Sequence, residues 1–279
     1  MTGAGGRIGA AVAPVLGDRW DLRLTDLRAG AGTVLDVSDE LACREAFAGA
    51  DAVVHLAADP SPRASWEALH PANVVGTYNV ADAAVRCGVR RLVLASSLQA
   101  VSGYPDGVQR RTGDAPRPAN LYGATKAWAE ALGAWVAASS ATSVVALRIG
   151  YFAAARPLEG GKVTPLERSA WLSPRDCAEL IRAAVEAEGI SFTVANGVSA
   201  NRYSIADLTD TTAALGYTPV DDAWACELPL AGASRFPSPM TAASTATSSA
   251  RPAGTSRAPR RPMPDAMPPM ITGPPSRPR

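Results

Sequence analysis

Thr2-Gly-Ala-Gly-Gly-Arg-Ile-Gly9 stands at the start of the chain and spaces three glycines at positions 3, 6 and 9. This spacing is typical of a tight turn that leads into a helix, which we predict over residues 8–16. The first glycine permits the turn, the second lets the backbone approach a pyrophosphate, and the third lets the helix pack closely on a strand. Because a helix N-terminus attracts anions, the stretch predicts a dinucleotide phosphate site. The residues expected to form it are Gly3, Gly6, Arg7, Ile8 and Gly9.

A strand should come directly before this turn, because a dinucleotide-binding sheet places its first strand there. Only Met1 and Thr2 precede the turn in this chain. We therefore expect a sheet that lacks most of its first strand.

Downstream of the turn, stretches typical of strands alternate with stretches typical of helices. The stretch 51–58 is nearly continuous in apolar residues, which is typical of a strand buried in a parallel sheet. The alternation predicts an α/β fold with a parallel, doubly wound sheet. Strands are predicted over 21–26, 33–37, 51–58, 91–97, 143–149 and 191–195, and helices over 39–47, 72–87, 120–139, 174–188 and 204–215.

Composition separates a tail at 231–279 from the rest of the chain, within which we predict a cofactor-binding region at 1–150 and a small substrate-binding region at 151–230. The tail holds 11 Pro, 7 Arg and one acid, so its charge is 7 − 1 = +6, against +1 for the whole chain. It has no Val, Leu, Trp or Tyr, so we expect it to be disordered. Since it lacks interleaved aromatic residues and dense charge, we expect no nucleic-acid partner. The sequence leaves open whether this tail is a native segment.

The length of 279 residues, 47% of them hydrophobic, is enough for a buried core of α/β size. No apolar run is long enough to span a membrane, and no secretory signal pattern is present. The four cysteines are scattered without a C-x-x-C pair, which disfavours disulfide frameworks and zinc sites. We therefore expect a cytoplasmic protein without a bound metal or a membrane partner, and the sequence leaves homo-oligomerisation open.

Acidic and apolar residues at strand ends predict the rest of the cofactor site. Asp26 ends the second predicted strand and can accept hydrogen bonds from both ribose hydroxyls of an adenosine, which favours NAD over NADP. Arg28 could reach a 2′-phosphate and keeps NADP open as the less favoured cofactor. Asp36 and Val37 are expected beside the adenine. Leu56, Ala57 and Ala58 are expected along the cofactor at the carboxyl end of the next strand.

Tyr122 and Lys126 are the candidate catalytic pair, because a spacing of four places them on one face of the predicted helix. A free phenol has a pKa near 10 and is a poor base at neutral pH. A nearby ammonium stabilises the phenolate and lowers that pKa. The chain has two lysines among its 27 basic residues, so the retention of a lysine here favours a function for it. Ser97, at the end of another strand, is the candidate for holding the reacting oxygen.

These stretches together resemble the extended short-chain dehydrogenase/reductases, in their NAD-dependent epimerase/dehydratase branch, with a Rossmann-type sheet. The resemblance covers about residues 1–224 and is carried by the glycine turn, His55-Leu-Ala-Ala58, Asn73-Val-Val-Gly-Thr77, Ala95-Ser-Ser97 and Tyr122-Gly-Ala-Thr-Lys126. Within the branch the chain is most similar to uronate dehydrogenases. That similarity is carried by Leu147-Arg-Ile-Gly150, Trp171-Leu-Ser-Pro-Arg-Asp176 and Gly197-Val-Ser-Ala-Asn201.

The resemblance implies NAD-dependent oxidation of a hexuronic acid at C1 to an aldarolactone. By position it implies that Tyr122 is the general base and that Lys126 tunes it and holds the nicotinamide ribose. Ser97 would position the substrate hydroxyl. Asn73 would hold the helix and a proton-relay water, and Ile149 would lie against the cofactor.

Two departures from the uronate dehydrogenase pattern concern the substrate. Leu98 and Gln99 stand where Asn-His usually follows the paired serines, so Gln99 is expected to contact the sugar. The arginine that grips the carboxylate has no clear match; Arg168 is the first candidate and Arg156 the second. Two other functions stay open: a sugar-nucleotide epimerase or dehydratase with tightly bound NAD, and a truncated NAD-binding protein without activity.

Overall fold

The computed structural model describes residues 1–154 and 163–225. Its strands are β1 (Thr25–Asp26), β2 (Thr33–Val34), β3 (Ala52–His55), β4 (Arg91–Ser97), β5 (Ser143–Ile149), β6 (Tyr151–Phe152), β7 (Trp171–Leu172) and β8 (Phe192–Gly197). Strands β3, β4, β5 and β8 pair in that order, and every pairing is parallel. Strands β1 and β2 form a second parallel pair, as do β6 and β7. The predicted parallel sheet is confirmed.

The helices follow the strands as expected for an α/β fold. They are α1 (Arg7–Gly17), α2 (Glu40–Phe47), α3 (Trp66–Leu69), α4 (Thr77–Arg86), α5 (Leu121–Ser139), α6 (Pro165–Ser169), α7 (Pro174–Glu186) and α8 (Thr209–Leu215). A π-helical segment, His70–Gly76, comes before α4, and a 3₁₀ turn, Leu98–Val101, follows β4.

Helices cover both faces of the sheet, which makes it doubly wound. Along β4, Val93 packs into a core formed with α1 and α7. Its neighbours Leu92 and Leu94 pack into a second core, formed with α2, α4 and α5. Successive side chains of a strand point to opposite faces, and helices cover both faces here. Val93 on one face and Leu92 and Leu94 on the other are therefore all fully buried.

The place of the first strand is held by the two residues before the glycine turn. Thr2 bridges Thr25 on one side and His55 on the other, both in parallel register. The Met1 amino group donates to the Arg23 carbonyl. The strand predicted over 21–26 is accordingly reduced to Thr25–Asp26. A strand needs a paired neighbour, and Thr25 is the first residue of this stretch that has one, at Thr2.

Other predicted elements differ in extent, among them the helix predicted over 72–87, whose α-helical part is Thr77–Arg86. The strand predicted over 51–58 ends at His55, and the strand predicted over 33–37 ends at Val34. The helix predicted over 204–215 begins only at Thr209, because residues before it pair elsewhere: the Ile205 carbonyl accepts from Arg110 N–H, and Asp207 N–H donates to the Arg110 carbonyl. Their backbone groups are therefore not available for helical hydrogen bonds.

Short elements between residues 150 and 172 were absent from the sequence prediction. Strands β6 and β7 pair beside the carboxyl edge of the sheet, and α6 lies between them in the chain. None of the helices in the described ranges combines the length and the apolar character needed to cross a membrane. The tail predicted at 231–279 lies outside the described residues, and the regional division at 150 and 230 stays a prediction.

Candidate active site

The glycine turn brings strand, loop and helix too close together for any side chain. Gly3 has φ +70°, and a Cβ there would lie 2.6 Å from the Ala57 nitrogen. A Cβ at Gly9 would lie 2.4 Å from the Gly3 carbonyl oxygen. Real Cβ atoms do not approach backbone this closely, so both positions require glycine. The turn therefore has the close packing that its spacing predicts.

The N-terminus of α1 fits a phosphate group. Gly6 is the N-cap, and no side chain from the described residues caps the helix. The Gly6 N–H donates to the Gly3 carbonyl, and the helical ladder begins with Ala10, which leaves the first-turn N–H groups without intrahelical acceptors. Such groups at the positive end of an eleven-residue helix suit a pyrophosphate. We expect this turn to hold the phosphates of NAD.

Asp26 lies against the same turn and is the residue expected to hold the adenosine ribose. Its carboxylate accepts hydrogen bonds from the backbone N–H of Gly5 at 2.9 Å and of Arg28 at 2.9 Å. Each carboxylate oxygen has a second lone pair, so the carboxylate can still accept hydrogen bonds from ribose hydroxyls. The contact with Gly5 also ties the end of β1 to the glycine turn.

The two residues expected beside the adenine follow β2. Asp36 is exposed, and its carboxylate accepts from both the backbone N–H and the hydroxyl of Ser38. Val37 is buried and lies against Gly76, where a Cβ would come within 2.5 Å of a valine methyl. Asn79 donates to the Val37 carbonyl at 3.1 Å. The segment after β2 is therefore held in place by Gly76 and Asn79. Its contact with adenine stays a prediction.

A cavity of about 410 Å³ opens at the carboxyl edge of the sheet and collects most of the predicted site residues. Its wall includes the glycine turn on one side and the ends of β4 and β5 on the other. The predicted residues that line it are Gly3, Gly6, Arg7, Ile8, Gly9, Leu56, Ala58, Ser97, Gln99, Tyr122, Lys126 and Ile149. Others in its wall are Tyr151, Phe152, Leu166 and Glu167.

Tyr122 and Lys126 lie on the first turns of α5, which Asn120 caps by accepting from the Gly123 N–H at 2.8 Å. The Lys126 ammonium lies 5.6 Å from the centre of the Tyr122 ring and donates to the Ala95 carbonyl at 2.8 Å. Burial lowers the pKa of Lys126 to about 8. The buried ammonium therefore lies between the Ala95 carbonyl of β4 and the ring of Tyr122. The two side chains are on the same face of α5, in agreement with their spacing of four.

The environment of the Tyr122 phenol pulls its pKa in two directions. Burial raises the pKa above its usual value, and the carboxylate of Asp59 adds to this. A hydrogen bond with the Ser97 hydroxyl and the nearby guanidinium of Arg7 lower the pKa. Arg7 is thus a cation that acts on the phenol in this structure, while tuning by Lys126 stays a prediction. The single hydrogen of the Ser97 hydroxyl can alternatively be donated to the Ile149 carbonyl, 3.3 Å away.

Asn73 does not line the cavity and lies in the π-helical segment, a type of distortion that is frequent at functional sites. It is buried, and its amide accepts from the Asp59 N–H at 2.8 Å and donates to the Asp59 carbonyl at 3.0 Å. It also donates to the Thr125 hydroxyl at 3.3 Å, and Thr125 precedes Lys126 on α5. Asn73 therefore links the loop after β3 to the catalytic helix; a proton-relay role stays a prediction.

A buried ion pair next to the site was not found by sequence reasoning. Arg148 on β5 and Glu130 on α5 are 2% and 5% exposed and pair at 2.8 Å. Glu130 also accepts from the Ser96 hydroxyl at 2.6 Å, and Arg148 donates to the Asp114 carbonyl at 3.1 Å. Glu130 follows Lys126 by one helical turn, and this spacing was the available signal. The pair ties α5, β4 and the loop before α5 together.

The arginine candidates for a substrate carboxylate have different outcomes. Arg168, on α6, does not line the cavity: its guanidinium lies 4.4 Å over the Trp224 ring and donates to the Ala223 carbonyl at 3.3 Å. Arg156 lies outside the described residues, as do Lys162 and Glu159 in the same loop. Carboxylate binding by either arginine stays a prediction.

Comparison with protein families decides the assignment, since the model of the NAD dependent epimerase/dehydratase family matches residues 1–170. The chain belongs to this family. The resemblance found in the sequence is confirmed, and so is NAD as the cofactor; that the glycine turn and Asp26 bind it stays a prediction.

Characterised members of the family include sugar dehydrogenases that match over nearly their full length. L-arabinose 1-dehydrogenase (NAD(P)(+)) of Haloferax volcanii is 37% identical, covering 80% of this chain and 96% of the relative. The NAD-dependent glucose-6-phosphate dehydrogenase of the same organism is also 37% identical, over 80% and 92% of the two chains.

A solved structure in the family supports both the fold and the cofactor. A variant of uronate dehydrogenase from Agrobacterium tumefaciens, complexed with NAD, is 29% identical to this chain, with a TM-score of 0.72. The match covers 85% of this chain and 90% of that structure. The predicted Rossmann-type α/β fold and the predicted similarity to uronate dehydrogenases are confirmed.

Proposed function

We propose that this protein oxidises the anomeric CH–OH group of a sugar or sugar acid to a lactone, with NAD⁺ as the hydride acceptor. A hexuronate is our first candidate substrate. Support comes from the family membership and from relatives named for sugar oxidation: L-arabinose, glucose 6-phosphate and uronate dehydrogenases.

The observation that carries the proposal is the convergence of four groups on one cavity. The Tyr122 phenol, the Ser97 hydroxyl and the Lys126 ammonium share its wall with the glycine turn at the start of α1. A cofactor whose phosphates bind that turn therefore shares a single cavity with a substrate that contacts the phenol. Hydride transfer requires this proximity of cofactor and substrate.

In the proposed reaction the phenolate of Tyr122 accepts the proton of the C1 hydroxyl as the C1–O bond becomes a carbonyl. Before the substrate binds, a hydrogen bond from Ser97 favours the phenolate, and the same hydroxyl then turns to hold the reacting oxygen. The Lys126 ammonium, held by the Ala95 carbonyl, supplies positive charge beneath the ring. When bound, NAD⁺ supplies the acceptor for the hydride that leaves C1. The proton goes to Tyr122, the hydride to the cofactor, and the sugar becomes a lactone.

A substrate panel with NAD tests this function directly. We expect NADH to form from at least one of galacturonate, glucuronate, L-arabinose and glucose 6-phosphate, with a uronate the fastest. Tyr122→Phe is the matched control because it removes the base and keeps the ring. We expect it to lower kcat about 10²- to 10⁴-fold and to leave NAD affinity unchanged.

The outcomes of the panel separate the competing functions. A neutral sugar that equals its uronate would refute uronate specificity and leave the dehydrogenase function intact. Absence of NADH from every sugar, with NAD still bound, would favour an epimerase or dehydratase that returns the hydride to its substrate. Retained turnover in Tyr122→Phe would refute the assignment of the base.

We also propose a cytoplasmic location. The cysteines within the described residues, Cys43, Cys87 and Cys177, are all free thiols. Free thiols suit a reducing compartment. Fractionation of cells that express the protein would check this: activity in the membrane or the secreted fraction would contradict it.

A further inference from the structure

The side-chain amide of Asn120 has only one arrangement that satisfies its neighbours. The Gly123 N–H donates to Asn120 Oδ1 at 2.8 Å, and a backbone N–H can only donate. The other end of the amide is therefore Nδ2, which carries hydrogens. It donates to Gln99 Oε1 at 2.7 Å.

This contact fixes the amide of Gln99 in turn. Since Oε1 faces Asn120, the nitrogen Nε2 is the end left over, and it carries two N–H donors. Within residues 1–154 and 163–225, no group accepts a hydrogen bond from Gln99 Nε2, and Gln99 lines the same cavity as Ser97 and Tyr122. The unbonded end of the Gln99 amide is thus a donor, on a side chain that lines the cavity.

The main chain of Gln99 is also held in place, so the side chain starts from a fixed point. Its N–H donates to the Ser97 hydroxyl oxygen at 3.2 Å, and its carbonyl accepts from the Ser102 hydroxyl at 2.9 Å. The carbonyl packs directly against Gly123, where a Cβ would lie only 2.3 Å from the oxygen. The start of α5 and the turn after β4 are therefore locked together.

We propose that Asn120 is a positioning residue that makes Gln99 present N–H donors to the ring oxygen of a cyclic sugar. This inference rests on the proposed oxidation at C1 and adds to it the substrate atom that is recognised. Hydroxyl groups can rotate to donate or to accept, so they do not discriminate between the two amide ends. The ring oxygen only accepts, and it is bonded to C1, the carbon whose hydroxyl contacts Tyr122 and Ser97. An open-chain aldehyde has no such oxygen.

Asn120→Asp is the decisive variant. A carboxylate caps a helix as well as an amide does, so the cap on Gly123 is kept. A carboxylate cannot donate, however, so Gln99 turns its N–H group toward the carboxylate and its oxygen toward the substrate. The ring oxygen then meets an acceptor. We expect KM for the sugar to rise about 10- to 100-fold, with the KM for NAD and the melting temperature unchanged.

Two further variants and one analogue complete the test. Gln99→Glu also presents an acceptor and should match Asn120→Asp in sugar KM. Asn120→Ser keeps the cap but is too short to hold Gln99, which stays able to donate, so its effect should be smaller. A carbasugar, in which CH₂ replaces the ring oxygen, should bind the wild type and Asn120→Asp equally in calorimetry with the NADH-loaded protein.

The inference and the proposed function fail in different ways. Asn120→Asp with a wild-type sugar KM would overturn the orientation and leave sugar oxidation standing. A lower melting temperature with an equal rise in both KM values would reduce Asn120 to a helix cap. A carbasugar that binds Asn120→Asp 10-fold more weakly would overturn the ring-oxygen assignment. A wild-type protein that neither oxidises nor binds any sugar would refute the proposed function, and the inference with it.

Discussion

Lys126→Met should make the cofactor-free protein more stable and less active, because the wild-type site holds a buried charge. The Lys126 side chain is 6% exposed, and burial lowers its pKa from 10.5 to about 8. At pH 7 the lysine is charged in both the folded and the unfolded chain. The fall in the lysine pKa to about 8 then corresponds to about 3 kcal/mol of lost folding free energy. Lys126→Met also loses the hydrogen bond to the Ala95 carbonyl, which reduces the expected gain in folding stability by about 1 kcal/mol.

The sign of the pH dependence follows from proton binding. Between pH 8 and 10.5 the unfolded chain binds a proton at Lys126 more tightly than the folded chain does. The free energy of unfolding of the wild type therefore rises with pH through that window. Lys126→Met has no lysine at this position, so its free energy of unfolding lacks this rise. The free-energy gap between the variant and the wild type should narrow by about 2 kcal/mol between pH 7 and pH 9.5.

Urea unfolding followed by tryptophan fluorescence, without NAD, measures this gap at each pH. Tyr122→Phe is the matched control: it lacks the base but keeps the lysine, so its gap to Lys126→Met should narrow by the same amount. A gap that stays constant from pH 7 to 9.5 would refute the buried-charge argument. A variant less stable than the wild type at every pH would show that the contact with Ala95 outweighs the cost of burial.

Two further predictions concern the specificity of the site. Asp26→Ala should narrow the ratio of kcat/KM for NAD over NADP, because it removes the negative charge that repels a 2′-phosphate; a wild type that already prefers NADP would instead assign the pocket to Arg28. If Arg168 binds the substrate as predicted, Arg168→Ala should raise KM for a hexuronate and leave KM for L-arabinose unchanged, because a guanidinium pairs with a carboxylate and L-arabinose has none. Arg168→Lys, which keeps the charge, should show a smaller rise. Equal effects on both sugars would assign Arg168 to packing on Trp224 alone.

Local features of the sequence predict the parts of this protein that depend on local physics. The glycine turn is one, since Gly3 needs a positive φ and Gly9 a close contact that only glycine tolerates. The pair of Tyr122 and Lys126 is another, because helical spacing alone places them on one face. Strands β4 and β5 match their predicted bounds, since an apolar run buried on both faces has one clear interpretation.

Tertiary contacts decided the remaining features, because they depend on residues far apart in sequence. The strand predicted over 21–26 keeps only Thr25 and Asp26, the two residues that pair with β2. The helix predicted over 204–215 loses its start to pairing with Arg110. Burial of Glu130 with Arg148 shows only when α5 packs on β5. The amide orientation of Gln99 is set from position 120, on another element. Sequence spacing reports which residues share an element; which atoms meet across elements is decided by the packing of the whole sheet.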